Sequence, residues 1–219
     1  MRRKLVVRCL ACLLTLALSQ AAFSYEASLS ERSVREAYFL GQRNDEKTGA
    51  FFASYIRRLP LPTKGPHVFE IELLTPYAQV ARLSQRRTVG YSAQQAKEDY
   101  RARGDIVEVR VLIRFTPTFT YAAAQKMMES AIPRKGSAVD FWTKFTYRLR
   151  QADEVIPEKF LAARPTFERG GEEGSGGMDG AEVFIKYDAA AVKSREAEFE
   201  VLTPDGQTAV AKFDLEKLR

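Results

Sequence analysis

Residues 107–115 read VEVRVLIRF, and this stretch indicates the fold class. Apolar side chains occupy every odd position from Val107 to Phe115, and charged side chains occupy three of the four positions between them. Successive side chains of a β-strand point to opposite faces, so a period of two gives one apolar and one polar face. The stretch therefore predicts a half-buried strand of an antiparallel sheet.

The same alternation recurs in five further segments of the chain. They cover residues 69–73, 141–149, 183–187, 199–201 and 209–215. Because the six strands are joined without regular βαβ spacing, they predict a mainly β (α+β) fold: an antiparallel, immunoglobulin-like β-sandwich from about Val68 to Leu215. The predicted core residues are Val109, Val111, Ile113, Phe145, Tyr147, Ile185, Phe199, Val201 and Phe213.

Proline marks the ends of several predicted strands. Thr-Pro pairs begin at Thr75, Thr116 and Thr203, where a missing backbone donor would stop a strand. After the last pair, Asp205 and Gly206 supply an Asx side chain and a positive-φ position, which predicts a tight hairpin between the last two strands.

Two short helices are predicted before the sandwich. Apolar residues recur at three- and four-residue spacing through residues 30–59, with a break expected within 41–45. Asn44 or Asp45 can cap the second helix, and Pro60 should end it. The aromatic side chains of these helices exceed what the helices can bury between themselves. We therefore expect them to pack on the sandwich; an exposed patch that recruits a partner is the alternative.

These patterns predict three parts of the chain. They are a signal peptide at residues 1–24, a helical segment at 25–60 and a β-sandwich domain at 61–219. Three prolines in residues 59–66 indicate an extended linker at the second boundary. Within the β-sandwich domain we expect a crossover helix between Tyr91 and Gly104, an insertion at about 121–137 and a glycine-rich mobile loop at 169–180.

The first 24 residues have the layout of an export signal, with a basic start, an apolar stretch and small residues near Ala21 and Ser24. Both cysteines, Cys9 and Cys12, lie in this segment, so the mature chain would contain none. We therefore expect a periplasmic or secreted product without a membrane span; a lipid-anchored form at Cys12 is the less favoured alternative.

Net charge argues against a nucleic-acid partner. The whole chain carries +6, but four basic residues and no acidic residue lie in the predicted signal, so the body has 30 basic and 28 acidic residues. Nucleic-acid binding and attachment to a membrane surface both need a concentrated basic field, which this balance does not supply.

Four short strings resemble an uncharacterised family of exported bacterial proteins. They are REAYFLGQR at residues 35–43, LPLP at 59–62, LLTPYAQV at 73–80 and GYSAQQA at 90–96. The resemblance covers mainly residues 33–116, with a weaker match at 213–215. It implies export and a helical segment joined to a β domain, and it brings no assigned activity or catalytic residue.

The sequence carries no catalytic motif. His67 is the single histidine, which excludes Cys–His catalysis and zinc sites built from several histidines or cysteines in the mature chain. A serine triad would have to use His67, which we expect to be a solvent-exposed linker residue, and no Gly-x-Ser-x-Gly turn presents a serine. No phosphate-binding glycine loop occurs either, so we expect no cofactor.

Carboxylates leave one enzymatic alternative open, because a glycosidase needs only two acids that can come from anywhere in the chain. Glu70, Glu72 and Glu108 lie on predicted strands, where we expect ordinary solvated side chains. Glu172, Glu173 and Asp179 could form a weak calcium site in the glycine-rich loop, although they lack the spacing of an EF-hand.

Trp142, Phe51 and Tyr55 are the predicted contacts for a ligand or partner. Trp142 is the single tryptophan and alternates with Phe141 and Phe145, so it points to the other face of the predicted strand and could be exposed to a glycan. Packing of Trp142 beneath the helices or the insertion is the structural alternative. The expected function is that of an exported, non-catalytic module that binds an envelope protein or a glycan; an extracytoplasmic hydrolase is the alternative.

Overall fold

The computed structural model describes residues 25–87, 89–119, 140–167 and 178–219. The predicted signal, the insertion at 121–137 and most of the glycine-rich loop lie outside these residues. In the described part, the chain forms two antiparallel sheets and a set of helices, an α+β fold with mainly β character.

The first sheet has five strands in the order β1-β2-β3-β7-β6, and the second has four in the order β5-β4-β8-β9. The strands are β1 (Ile56–Arg58), β2 (His67–Leu74), β3 (Ile106–Arg114), β4 (Thr146–Gln151), β5 (Glu154–Ile156), β6 (Glu158–Phe167), β7 (Met178–Asp188), β8 (Glu196–Leu202) and β9 (Thr208–Asp214). All the strand pairs are antiparallel.

One apolar core joins the inner faces of both sheets. Buried side chains of β2, β3 and β7 belong to the same cluster as those of β4, β8 and β9. All nine predicted core residues are buried, with exposed fractions between 0 and 9%. The period of two in residues 107–115 thus describes β3 correctly, because Val107, Val109, Val111 and Ile113 are fully buried.

The six predicted strands are present, and the hairpin between β8 and β9 is confirmed, with Gly206 at φ 82°. One strand begins later than predicted, because Phe141–Lys144 form a turn of 3-10 helix and β4 starts at Thr146. Strands β1, β5 and β6 were not predicted. Their side chains are mostly exposed or half-buried, so their sequences lack a clean alternation, and β6 also contains Pro165.

The helices are α1 (Glu31–Arg43), α2 (Glu46–Ala53), α3 (Pro76–Arg86) and α4 (Ala93–Arg103). The break between the first two lies at Asn44, so Gly41 is inside α1, and Asp45 caps α2 as predicted. The end predicted for α2 at Pro60 is wrong. The chain leaves the helix at Ser54, and Ile56–Arg58 pair with β2 instead.

Helices α3 and α4 lie between β2 and β3 in sequence and pack with α1 in a second apolar cluster. Helix α4 was predicted, with Ser92 as its N-cap. Helix α3 was not predicted, because the Thr75-Pro76 pair was interpreted only as the end of a strand. It also begins a helix: the Thr75 hydroxyl accepts a hydrogen bond from the Ala78 amide, and Pro76 occupies the first helical position. We call α1–α4 the helical layer.

The helical layer is attached to the sheets through aromatic side chains. Tyr55 is fully buried in the core that the two sheets share, and Phe51 packs between Tyr55 and Tyr77, with ring centroids 4.9 and 5.9 Å away. The predicted packing of the helices on the sandwich is seen only in part, because Phe51 reaches the shared core while α1 packs mainly on α3 and α4. The sequence boundary predicted at residue 60 falls between β1 and β2, which pair in one sheet.

Candidate functional site

Trp142 lies in the 3-10 turn that precedes β4. Only 6% of its surface is exposed, and its ring packs edge-on against Phe141, with centroids 5.3 Å apart. The Trp142 carbonyl accepts a hydrogen bond of 3.1 Å from the Tyr147 hydroxyl. The turn changes the direction of the side chain relative to a strand, so Trp142 faces the space between the sheets rather than offering an exposed ring.

A cavity of about 530 Å³ opens beside Trp142, between β4 and β5 of one sheet and β6 and β7 of the other. Its apolar lining comes from both sheets: Trp142, Phe145, Tyr147, Val155, Ile156, Leu161 and Tyr187. Ligand sites commonly have volumes of about 300–1,000 Å³ and an apolar, aromatic lining with a few polar groups. We call this space the aromatic cavity.

One residue of the aromatic cavity carries a polar group without a partner among the described residues. Tyr187 is 1% exposed, and its hydroxyl makes no hydrogen bond with any described residue. Burial raises the pKa of Tyr187 well above its ordinary value, so the hydroxyl stays protonated and can donate. A buried hydroxyl without a partner costs free energy. Because the oxygen itself has almost no accessible surface, it is not a contact for a ligand in the cavity.

The rim of the aromatic cavity is formed by two edge strands. Strand β5 ends one sheet and β6 ends the other, within the described part of the chain. Val155 of β5 is 50% exposed and also lines the cavity. Arg148 and Glu158 add charge at the rim, so the opening is polar while the interior is apolar.

Phe51 and Tyr55 lie in a different place from Trp142. Tyr55 is fully buried, and its hydroxyl donates to the Arg219 carbonyl over 2.6 Å. Phe51 is half-buried on α2. The structure thus separates the three predicted contact residues into the aromatic cavity and the attachment of the helical layer.

Sequence reasoning missed β5 and β6, which supply Val155, Ile156 and Leu161 to the aromatic cavity. The alternation in residues 183–187 correctly placed Tyr187 on a strand. No local signal could show that its hydroxyl would lack a partner, because that depends on strands distant in sequence.

Two of the carboxylates considered for catalysis, Glu70 and Glu72, form ion pairs with arginines. Glu70 pairs with Arg58 over 3.2 Å. Glu72 was expected to be solvated but is only 2% exposed, because α3 covers it and places Arg82 against it. Its second oxygen lies 3.2 Å from Arg110.

Glu108 is the exception among these acids. It is half-buried in a separate cavity of about 190 Å³, and burial raises the pKa of its carboxyl above the ordinary value. Arg103 and Lys186 act against this rise, whereas Glu72 adds to it. A carboxyl with a raised pKa can serve as a general acid if a second, free carboxylate faces it. Glu72 is committed to two arginines and does not offer one.

His67 was expected to be exposed but is the first residue of β2 and is 8% exposed. Its Nε2 lies 3.1 Å from the Leu59 carbonyl, since residues 59–66 fold back along the sheet. No cluster of three or more potential metal ligands occurs among the described residues. Of the predicted calcium ligands, Asp179 pairs with Arg114, and Glu172 and Glu173 lie outside the described residues.

No protein-family model, curated protein or solved structure matches the chain. None of the helices in the described parts has the length and apolar character that crossing a bilayer requires.

Proposed function

We propose that the protein is an exported, non-catalytic binding domain with an immunoglobulin-like fold. In this proposal, an extended segment of another envelope protein lies along the rim between β5 and β6 and inserts an apolar side chain into the aromatic cavity. The observation that carries it is the aromatic cavity itself, an apolar space between two edge strands that no described residue fills.

The strand order supports the immunoglobulin-like assignment. If β2 is named A and the main strands are lettered along the chain, the first sheet contains A-B-E-D and the second C′-C-F-G. Immunoglobulin domains have strands A, B, E and D in one sheet and C, F and G in the other, with C′ added in variable-type domains. Strand β1 and the helices between A and B are then additions to that pattern.

The proposed mode of binding follows from the edge strands. An exposed sheet edge can pair with an extended peptide through backbone hydrogen bonds, while pockets for alternate side chains give specificity. Strands β5 and β6 are both edges, and the aromatic cavity opens between them. A glycan is less well supported, because Trp142 is 6% exposed and offers no open ring face for stacking.

Capture of partners from the native envelope fraction by residues 25–219 tests the proposal. Val155→Lys places a charge at the rim and should abolish the capture that the unaltered chain shows. Val210→Lys is the matched control, because Val210 is an exposed valine on β9, the other edge of the same sheet. An equal loss of capture in both variants, or no loss of capture in either, would contradict binding at the aromatic cavity.

Export is tested separately, on the native protein. Mass spectrometry should show a mature terminus near Ala22 or Tyr25. Tyr25 is already part of the fold, since its hydroxyl donates to the Ala189 carbonyl over 2.7 Å. A cytoplasmic product that retains Met1 would contradict export.

A glycosidase-like hydrolase is the second candidate, and the raised pKa of Glu108 is the observation that favours it. Hydrolysis of a glycan by the mature chain that is lost in Glu108→Gln would replace the first proposal. The two ion pairs of Glu72 favour the non-catalytic function, because Glu72 then offers Glu108 no free carboxylate partner.

A further inference from the structure

A second cavity lies on the outer face of the first sheet, beneath α3 and beside the end of α4. Its volume is about 190 Å³, and four arginines line it: Arg82, Arg86, Arg103 and Arg110. Glu108 is the acidic residue in the lining. This concentration of positive charge contrasts with the nearly neutral body of the chain.

Two of the four arginines are compensated by ion pairs. Arg110 lies 3.2 Å from Glu72 and 2.5 Å from Glu182. Arg82 also pairs with Glu72. These contacts belong to a chain of charges that crosses the sheet and ends at Arg164, whose Nε donates to Glu182 over 2.6 Å.

The other two arginines are not compensated in this way. No carboxylate of the described residues lies within ion-pair distance of Arg86 or Arg103. The cavity therefore holds two positive charges, on Arg86 and Arg103, that form no ion pair with a described residue.

We propose that this cavity binds a tetrahedral dianion, a sulfate or phosphate group, through Arg86 and Arg103. When Glu108 is protonated, the two positive charges of Arg86 and Arg103 match a dianion in charge. Guanidinium groups also match the oxygen geometry of phosphate and sulfate and form charge-assisted hydrogen bonds with them. The site is independent of the aromatic cavity.

Glu108 makes the affinity depend on pH. Its carboxylate opposes an anion, whereas its protonated form is neutral and can donate a hydrogen bond. The groups that act on Glu108 are Arg103 of α4, Lys186 of β7, Glu72 of β2 and Arg110 of β3. Burial raises the pKa of the Glu108 carboxyl above its ordinary value, so protonation of Glu108 should strengthen binding as the pH falls.

Sulfate binding to residues 25–219, measured by calorimetry at constant ionic strength, tests the proposal. Arg86→Gln and Arg103→Gln should each weaken binding about tenfold, the effect of losing one hydrogen bond to a charged group. Arg101→Gln is the matched control, because Arg101 is on the same helix as Arg103 but contacts Glu31, 3.3 Å away, outside the cavity. Equal affinity in all the variants, or no binding to the unaltered chain, would overturn the proposal.

Three further probes define the ligand. Acetate should bind much more weakly than sulfate, and equal affinity would overturn the assignment to a dianion. Glycerol 3-phosphate distinguishes an esterified group from the free ion. If it binds more tightly than sulfate, the ligand is an ester; if it binds more weakly, the ligand is the free ion. Sulfate keeps its charge between pH 5 and 8, so a pH dependence that persists in Glu108→Gln would overturn the role of Glu108.

Discussion

Two tyrosines of the aromatic cavity differ in one respect that a stability measurement can detect. The Tyr147 hydroxyl donates to the Trp142 carbonyl, whereas the Tyr187 hydroxyl has no partner among the described residues. Tyr147→Phe should therefore lower the free energy of unfolding by about 0.5–1.5 kcal/mol, the net value of a typical hydrogen bond. Tyr187→Phe should leave it unchanged or raise it. Urea unfolding of both variants measures the difference, and an equal loss would mean that the Tyr187 hydroxyl has a partner in solution.

At the level of residues, the sequence predicted which side chains are apolar and face the core, because a period of two depends only on local geometry. It did not predict the surroundings of polar side chains. Glu72 was correctly placed on the polar face of β2, but α3 covers that face and buries the carboxylate. Trp142 was placed by an alternation that begins only at Thr146.

At the level of secondary-structure elements, α1 and α3 pack so closely that Gly41 sets the distance between them. A Cβ added at Gly41 would collide with the Ala81 carbonyl oxygen and lie 2.8 Å from the Ser84 Cβ. Gly41→Ala should therefore force the helices apart and cost about 1–3 kcal/mol. Gly49→Ala is the control, because no atom lies within 4 Å of its added Cβ, and it should stabilise α2 by about 0.5–1 kcal/mol. Thermal and urea unfolding check both values, and a neutral Gly41→Ala would show that the helices can separate freely.

The three Thr-Pro pairs show why elements are harder to predict than strand faces. The Thr75 hydroxyl caps α3, the Thr116 hydroxyl donates to the Gly65 carbonyl over 2.6 Å, and the Thr203 hydroxyl accepts from the Gln207 amide over 3.0 Å. All three pairs end a strand, as predicted. The local structure after each pair depends on which backbone group the threonine reaches, and the dipeptide alone does not determine that.

At the scale of the whole molecule, the helical layer is built from two separate parts of the sequence. Helices α1 and α2 precede the first sheet, whereas α3 and α4 interrupt it between β2 and β3. Three of the four strings on which the predicted family resemblance rests fall mainly in this layer: the first lies in α1, the third spans β2 and α3, and the fourth reaches the start of α4. The sequence predicted that α1 and α2 would need a second surface, but it did not predict that α3 would provide it.

Removal of the N-terminal helices should therefore destabilise both clusters of the molecule. A fragment that begins at Thr63 lacks α1, α2, β1 and the fully buried Tyr55. It also exposes the face of α3 that carries Tyr77, Val80 and Ala81, which are 0–4% exposed in the full chain. Burial of each large apolar side chain contributes about 1.5–3 kcal/mol, so the loss should exceed what a domain of ordinary stability can tolerate. Size exclusion and thermal unfolding, with residues 25–219 as the reference, should show an aggregated or strongly destabilised fragment. A monomeric fragment with an unchanged melting temperature would mean that the helical layer contributes nothing to the stability of the sheets, and that its aromatic residues are available to a partner.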